Sequence, residues 1–213
     1  MLFVLTGDVQ IGKTRWLTRR VEELAAAGVP VAGVVAPGVW RERQPGEPDG
    51  VHGGSAVGRF EKLGIDNVLL PGGERVPFAR RRDLAQAAGT YEAASQSAQA
   101  QLGWAIDDAA IDRVNAHFAQ IAAGVGDARP GLLVVDELGR LELLRGAGLT
   151  AAVELLDGGP TARFPHALIV VRDRLLDDAR ARFAPAWGAP VLLAPDDSST
   201  VLLRSAFEGC ALY

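Results

Sequence analysis

A chain of 213 residues that is 48% hydrophobic, 23% charged and carries a formal net charge of −4 suits one soluble α/β domain with a sizeable core. Its mild acidity argues against nucleic acid or an anionic membrane as partner, since either calls for a broad basic face, and no run approaches the roughly 18 apolar residues that span a bilayer. A lone cysteine, Cys210, rules out an internal disulfide framework and a cysteine-based zinc site, and its place near the C-terminus reads as packing.

The chain opens on Leu2-Phe3-Val4-Leu5, a short apolar run with the look of a buried strand. It leads into Gly7-Asp8-Val9-Gln10-Ile11-Gly12-Lys13-Thr14, the Gly-x-x-x-x-Gly-Lys-Thr pattern of a phosphate-binding loop. Lys13 is one of two lysines beside twenty arginines. A compact ammonium reaches between the β- and γ-phosphates, where a planar guanidinium is too wide. The other lysine, Lys62, has no such motif around it. After Lys13, Leu17, Val21 and Leu24 recur at helical spacing and Gly28 supplies a stop. A strand, a glycine-bounded loop and a helix N-terminus converge there on one anion site, with Gly7 and Gly12 leaving room for phosphate oxygens. Thr14 is the expected Mg²⁺ ligand of the loop, Arg15 follows it, and Asp8 is expected to point outward or to position a water. Entering strand and loop at once leaves no room for a charged leader, so a cytoplasmic location is the default expectation.

Residues 30–36 read as a second strand interrupted by Gly33. From 37 to 58 the chain is rich in Gly, Pro and charge, and the expectation is a long mobile loop. Residues 65–70 and 74–78, joined by Pro71-Gly72-Gly73, read as an antiparallel hairpin. Residues 83–103 carry no clear period and are expected to be a connection, helical in part. Asp107 is a good N-cap, with Ile111, Val114, Phe118 and Ile121 along one helical face and Gly124 at its end. Next come a buried strand at 132–135, a helix marked by Leu149, Val153 and Leu156, a strand at 167–171, a helix marked by Leu176, Ala179 and Phe183, and a last strand at 191–193. Strands alternating with helices imply a mostly parallel sheet with helices on both faces.

The strand at 132–135 ends on Asp136-Glu137, and ligands of open α/β sheets lie beyond the carboxyl ends of strands. Asp136 is placed to hold Mg²⁺ and Glu137 to orient and deprotonate a water; a capping or merely solvated pair is the plainer reading of these two residues taken alone. Asp136-Glu137-Leu138-Gly139 also fits the Asp-x-x-Gly switch of signalling GTPases, but the Asn/Thr-Lys-x-Asp element that reads guanine is absent.

Asp136-Glu137-Leu138-Gly139-Arg140-Leu141-Glu142-Leu143 resembles the Asp-Glu-Ile-Gly-x-Met-Glu-Leu signature of the thermophile-type nucleoside-triphosphatase family, whose vertebrate members are called cancer-related nucleoside triphosphatase. Stretches at 33–37, 73–80 and 103–107 resemble family segments in the same order. The resemblance implies a three-layer P-loop NTPase with a RecA-like sheet of the additional-strand, catalytic-glutamate type, and Mg²⁺-dependent, rather unselective hydrolysis of ATP, GTP and other nucleoside triphosphates. It gives the phosphates to residues 7–14, the metal to Asp136, the water to Glu137 and a supporting place to Glu142. The family loop usually reads Gly-x-Pro/Gly-Gly-x-Gly-Lys-Thr-Thr; here Asp8, Val9, Gln10 and Ile11 fill the middle and Arg15 follows Thr14. In such folds the strand ending at Val171 runs beside the loop and presents a polar sensor, for which Arg172 is the candidate.

Cations must meet the charge that develops on a transferred phosphoryl group, and Arg140 and Arg172, both at predicted strand ends, are the candidates. A solvated arginine is the competing reading for each. Arg80-Arg81-Arg82 reads first as a solvated face. His52, His117 and His166 lack metal-ligand spacing, and His117 is expected on a helix surface. Trp40 and Trp104 are packing residues or base-stacking platforms. Three functions stay open: an NTP hydrolase, a small-molecule kinase whose acceptor sits in the 37–58 loop, and a slow nucleotide-dependent factor acting on an unidentified protein partner.

Overall fold

The computed structural model describes residues 1–43, 56–57 and 59–208. Short, mostly apolar runs decide its centre. Leu2–Leu5 (β1), Val31–Val35 (β2), Leu132–Val135 (β8), His166–Val170 (β9) and Val191–Leu193 (β10) lie parallel in the order β10-β1-β9-β8-β2. The remaining strands, Gly38–Glu42 (β3), Ala56–Val57 (β4), Phe60–Leu70 (β5), Glu74–Arg81 (β6) and Trp104–Ile106 (β7), extend the same sheet with antiparallel pairing beyond β2. The helices are Lys13–Ala26 (α1), Arg82–Ala87 (α2), Gln96–Gln99 (α3), Asp108–Ala122 (α4), Thr150–Asp157 (α5), Leu176–Trp187 (α6) and Asp197–Ser205 (α7).

Side chains alternate across a strand, so the parallel strands feed two cores. Phe3, Leu5, Leu132, Val134, Leu168 and Val170 pack with Leu17, Val21 and Leu24 of α1 and Leu203 of α7. Their alternates Leu2, Val4, Leu133, Val135 and Ile169 pack with Val114 and Phe118 of α4, Val153 and Leu156 of α5 and Phe183 of α6. The helical face read from Ile111, Val114, Phe118 and Ile121 is buried, and the Asp107 carboxylate accepts the Ala109 N–H at 2.9 Å, as an N-cap should.

Gly33 has a structural reason inside β2. A Cβ there would lie 1.9 Å from the Val134 carbonyl oxygen, and its φ of +119° is foreign to other residues. Gly33→Ala is expected to lower stability by about 2–5 kcal/mol, read from denaturation midpoints.

The antiparallel part is larger than the two-strand hairpin expected from sequence. β5 runs for eleven residues, pairing with β2 through Val68, Leu69 and Leu70 and with β3 over its first half. Part of the expected 37–58 loop is therefore strand: residues 38–42 form β3 and residues 56–57 form β4. Residues 44–55 and 58, His52 among them, and Cys210 lie outside the described residues. The arginine triplet also departs from expectation. Arg81 of β6 is buried and ion-paired with Glu61 of β5 and with Asp83 at 2.6 Å, while Arg82 donates to the Tyr91 hydroxyl at 2.6 Å; Arg80 alone is exposed. Glu61 and Arg81 are 20 residues apart in sequence, so strand pairing supplies the partner that composition hides. No helix among the described residues is long and apolar enough to cross a membrane.

Candidate functional site

The turn after β1 carries three positive φ angles, at Gly7 (+128°), Gln10 (+67°) and Gly12 (+94°), with Gly12 serving as the left-handed N-cap of α1. This curls 7–12 around the first residue of the helix. Lys13 Nζ donates to the carbonyls of Gly7 at 2.6 Å and Asp8 at 2.7 Å. Burial lowers the Lys13 pKa, and the charges of Asp173, Glu137 and Asp136 act against that shift. Asp8 is exposed, and Val9 to Arg15 line the adjoining cleft.

At the end of β8 the backbone is clamped on both sides of Glu137. The Asp136 N–H donates to the Val34 carbonyl at 3.1 Å and the Leu138 N–H to the Val170 carbonyl at 2.9 Å. Between these anchors Glu137 holds a φ of +64°, an uncommon conformation for a residue with a side chain. Such an outlier persists only where the surrounding structure enforces it, as the two anchors do here.

Asp136 is 2% exposed. One of its oxygens accepts the Ala36 N–H at 2.9 Å and the other the Thr14 hydroxyl at 3.4 Å. Burial, with Glu137 adding to it, pushes its pKa up to about 7, and the backbone and hydroxyl donors pull the other way. The loop and the acidic pair thus meet through Thr14 and Asp136, 122 residues apart in sequence. Their strands are not adjacent: β9 runs between β1 and β8, so the two ends are about 10 Å apart at ordinary strand spacing.

Arg172, just beyond β9, and Arg140, just beyond the acidic pair, both line the cleft. Neither makes an ion pair among the described residues, and the charge of Arg172 lowers the Lys13 pKa. Val171 is buried and its N–H donates to the Leu5 carbonyl at 3.1 Å, which fixes this strand end beside the loop. Beyond it, the Thr6 hydroxyl donates to the Asp173 carboxylate at 2.5 Å.

Residues Leu141–Arg145 form a single π-helical turn. Glu142, 6% exposed, closes it: its carboxylate accepts the Gly139 N–H at 2.8 Å and the Leu149 N–H at 3.1 Å. Burial pushes its pKa up against those donors. Glu142→Ala would leave both N–H groups unpaired in a buried turn and let the Gly139–Arg140 segment drift. The expected loss is about 2–5 kcal/mol of stability, with a lower melting temperature as readout.

The cleft has a volume of about 1360 Å³ and continues past Asp136 to the antiparallel wing, where Trp40, Lys62 and Trp104 line it. Lys62, which its sequence surroundings do not single out, is therefore a residue of this cleft. Its ammonium lies 5.4 Å from the centre of the Trp104 ring, and its charge acts on Asp136. No local pattern could have marked it, because the neighbours that matter come from β3, β7 and the turn after β8. His117 is half-buried, with Nε2 3.1 Å from the Gly33 carbonyl, and His166 packs on Phe3 and Phe207, so neither enters the cleft. No group of three or more His, Cys, Asp or Glu suited to a metal occurs among the described residues.

No protein-family model matches the sequence, and no curated protein matches it. Among solved structures, the solution structure of a human cancer-related nucleoside triphosphatase is similar, with a TM-score of 0.54 and 20% sequence identity over 97% of this chain and 95% of that one. The two share an α/β fold across nearly their whole lengths.

Proposed function

We propose that the protein hydrolyses nucleoside triphosphates to diphosphate and phosphate in the presence of Mg²⁺, within a P-loop domain of RecA-like type that spans the chain. The observation that carries the reading is the approach of Thr14, from the glycine loop, to Asp136, from the acidic strand end, at 3.4 Å. The fold shared with a nucleoside triphosphatase agrees with it.

The residues present fit the cation. A hydroxyl and a buried carboxylate are hard oxygen donors, and Mg²⁺ prefers one or two such protein ligands with phosphate oxygens and water completing its shell. A carboxylate whose pKa burial has raised to about 7 gains most from a positive neighbour. Thr14 and Asp136 would hold the ion, which supplies charge neutralisation to the β- and γ-phosphate oxygens when bound.

The chain's own residues divide the remaining work. The 7–12 turn and the N-terminus of α1 receive the phosphates, and Lys13 bridges them. Glu137 orients a water on the far side of the γ-phosphorus and takes its proton. The water oxygen bonds to phosphorus as the bond from the γ-phosphorus to the β–γ bridging oxygen breaks, and diphosphate leaves with that oxygen. Arg140 and Arg172 offer positive charge to the γ-phosphate oxygens.

Phosphate release from ATP, GTP, CTP and UTP with Mg²⁺ and no acceptor tests this reading. Release from all four is expected. Tight binding without release from any would instead favour transfer to a small-molecule acceptor, and release that depends on added protein would favour a partner-timed factor.

A further inference from the structure

We propose that Lys62 is a catalytic residue: an ammonium carried by the antiparallel wing that contacts the γ-phosphate from the side opposite Lys13. The proposal rests on the hydrolytic reading above and adds a residue to its site.

Short links connect Asp136 with Lys62. The carboxylate of Asp136 is held by the N–H of Ala36 at 2.9 Å. Two residues on, Gly38 begins β3, and a Cβ built there would lie 2.8 Å from Lys62 Cε and 2.5 Å from Trp40 Nε1. The missing side chain at Gly38 is what lets the lysine stem and the Trp40 indole pass the strand at this point. β3 and β5 are paired through Trp40 and Lys62 just after the register shift between Val39 and Trp40. Trp104 of β7 stands on the other side, with its ring 5.4 Å from the ammonium.

The chemistry follows from this seat. Lys62 is half-buried and makes no hydrogen bond or carboxylate ion pair among the described residues, in a wing whose Arg81 and Glu61 are firmly paired. An aromatic face steadies a cation while leaving its donors unused. The cleft joins this ammonium to Lys13, Thr14 and Glu137. As the γ-phosphoryl group moves from the bridging oxygen to water, charge spreads over its outer oxygens, and a cation on the wing side stabilises that distribution.

The test compares wild type with Lys62→Met, which keeps an unbranched apolar stem past Gly38, Lys62→Arg, which keeps the charge, and Lys13→Ala. Mg²⁺-dependent turnover is measured together with affinities for a non-hydrolysable ATP analogue and for ADP. Lys62→Met is expected to lower kcat about 100-fold, to reduce the preference for triphosphate over diphosphate about tenfold, and to leave ADP affinity unchanged, with Lys62→Arg recovering part of each loss. Lys13→Ala is expected to weaken both nucleotides. Turnover and triphosphate preference within twofold of wild type in Lys62→Met would overturn the proposal, whatever happens to the melting temperature. If wild type binds but hydrolyses nothing, the hydrolytic reading fails, and the triphosphate-to-diphosphate ratio still decides whether Lys62 touches the γ-phosphate.

Discussion

Glu137→Gln is expected to bind Mg²⁺ and nucleoside triphosphate as wild type does and to hydrolyse it about 10²–10⁴ times more slowly, the range associated with loss of a general base. The substitution is nearly isosteric and removes only the capacity to take a proton. The backbone at 137 is fixed by neighbours, through the Asp136 N–H on β2 and the Leu138 N–H on β9, so the amide keeps the position of the carboxylate. Its φ of +64° is equally uncommon for either residue, and no difference in folding is expected. Single-turnover hydrolysis, with binding measured separately, checks this. Equal turnover in the variant would remove Glu137 as the base and leave the acidic strand end with a metal-holding role alone.

Lys13→Ala is expected to weaken triphosphate binding about 10²–10³-fold, in line with truncating one member of a partly buried charged contact. In the structure the Lys13 ammonium donates to the carbonyls of Gly7 and Asp8, at the concave side of the turn. Phosphate oxygens would take over those hydrogen bonds. The alanine variant loses the charge and also the tie that draws the turn round α1, so calorimetric titration should be paired with a melting curve. Unaltered affinity would mean that the phosphates bind elsewhere.

How much of this was legible in the sequence depends on the range over which each residue's partners lie. Leu2–Leu5 and Leu132–Val135 announce buried strands because both faces are covered, and α4 shows its face and its cap within fifteen residues. The glycine turn and Asp136-Glu137 are local patterns and could be read as such. β3 could not: Gly38, Arg41 and Glu42 suit a loop until β5 lies beside them. α7 was missed because its first turn, Asp197 to Thr200, is polar, although Asp196 is a sound cap whose carboxylate accepts the Ser199 N–H at 2.8 Å. The place of β9 beside β1 was expected from the family resemblance alone; strand order, which also sets β9 between β1 and β8, leaves no sign in the residues themselves. Lys62 is the extreme case, since every contact that gives it meaning is made by another strand.

The claim beneath all of this is that the turn at Lys13 and the carboxylate of Asp136 act on one Mg²⁺-triphosphate. Calorimetric affinity for a non-hydrolysable triphosphate, with and without Mg²⁺, in wild type and in Asp136→Asn, tests it most directly. Mg²⁺ should tighten binding at least about tenfold in wild type, which corresponds to about 1.4 kcal/mol, and the asparagine variant should lose that gain while keeping its Mg²⁺-free affinity. An equal gain from Mg²⁺ in both proteins would contradict the account, because the metal would then be held without the acidic strand end.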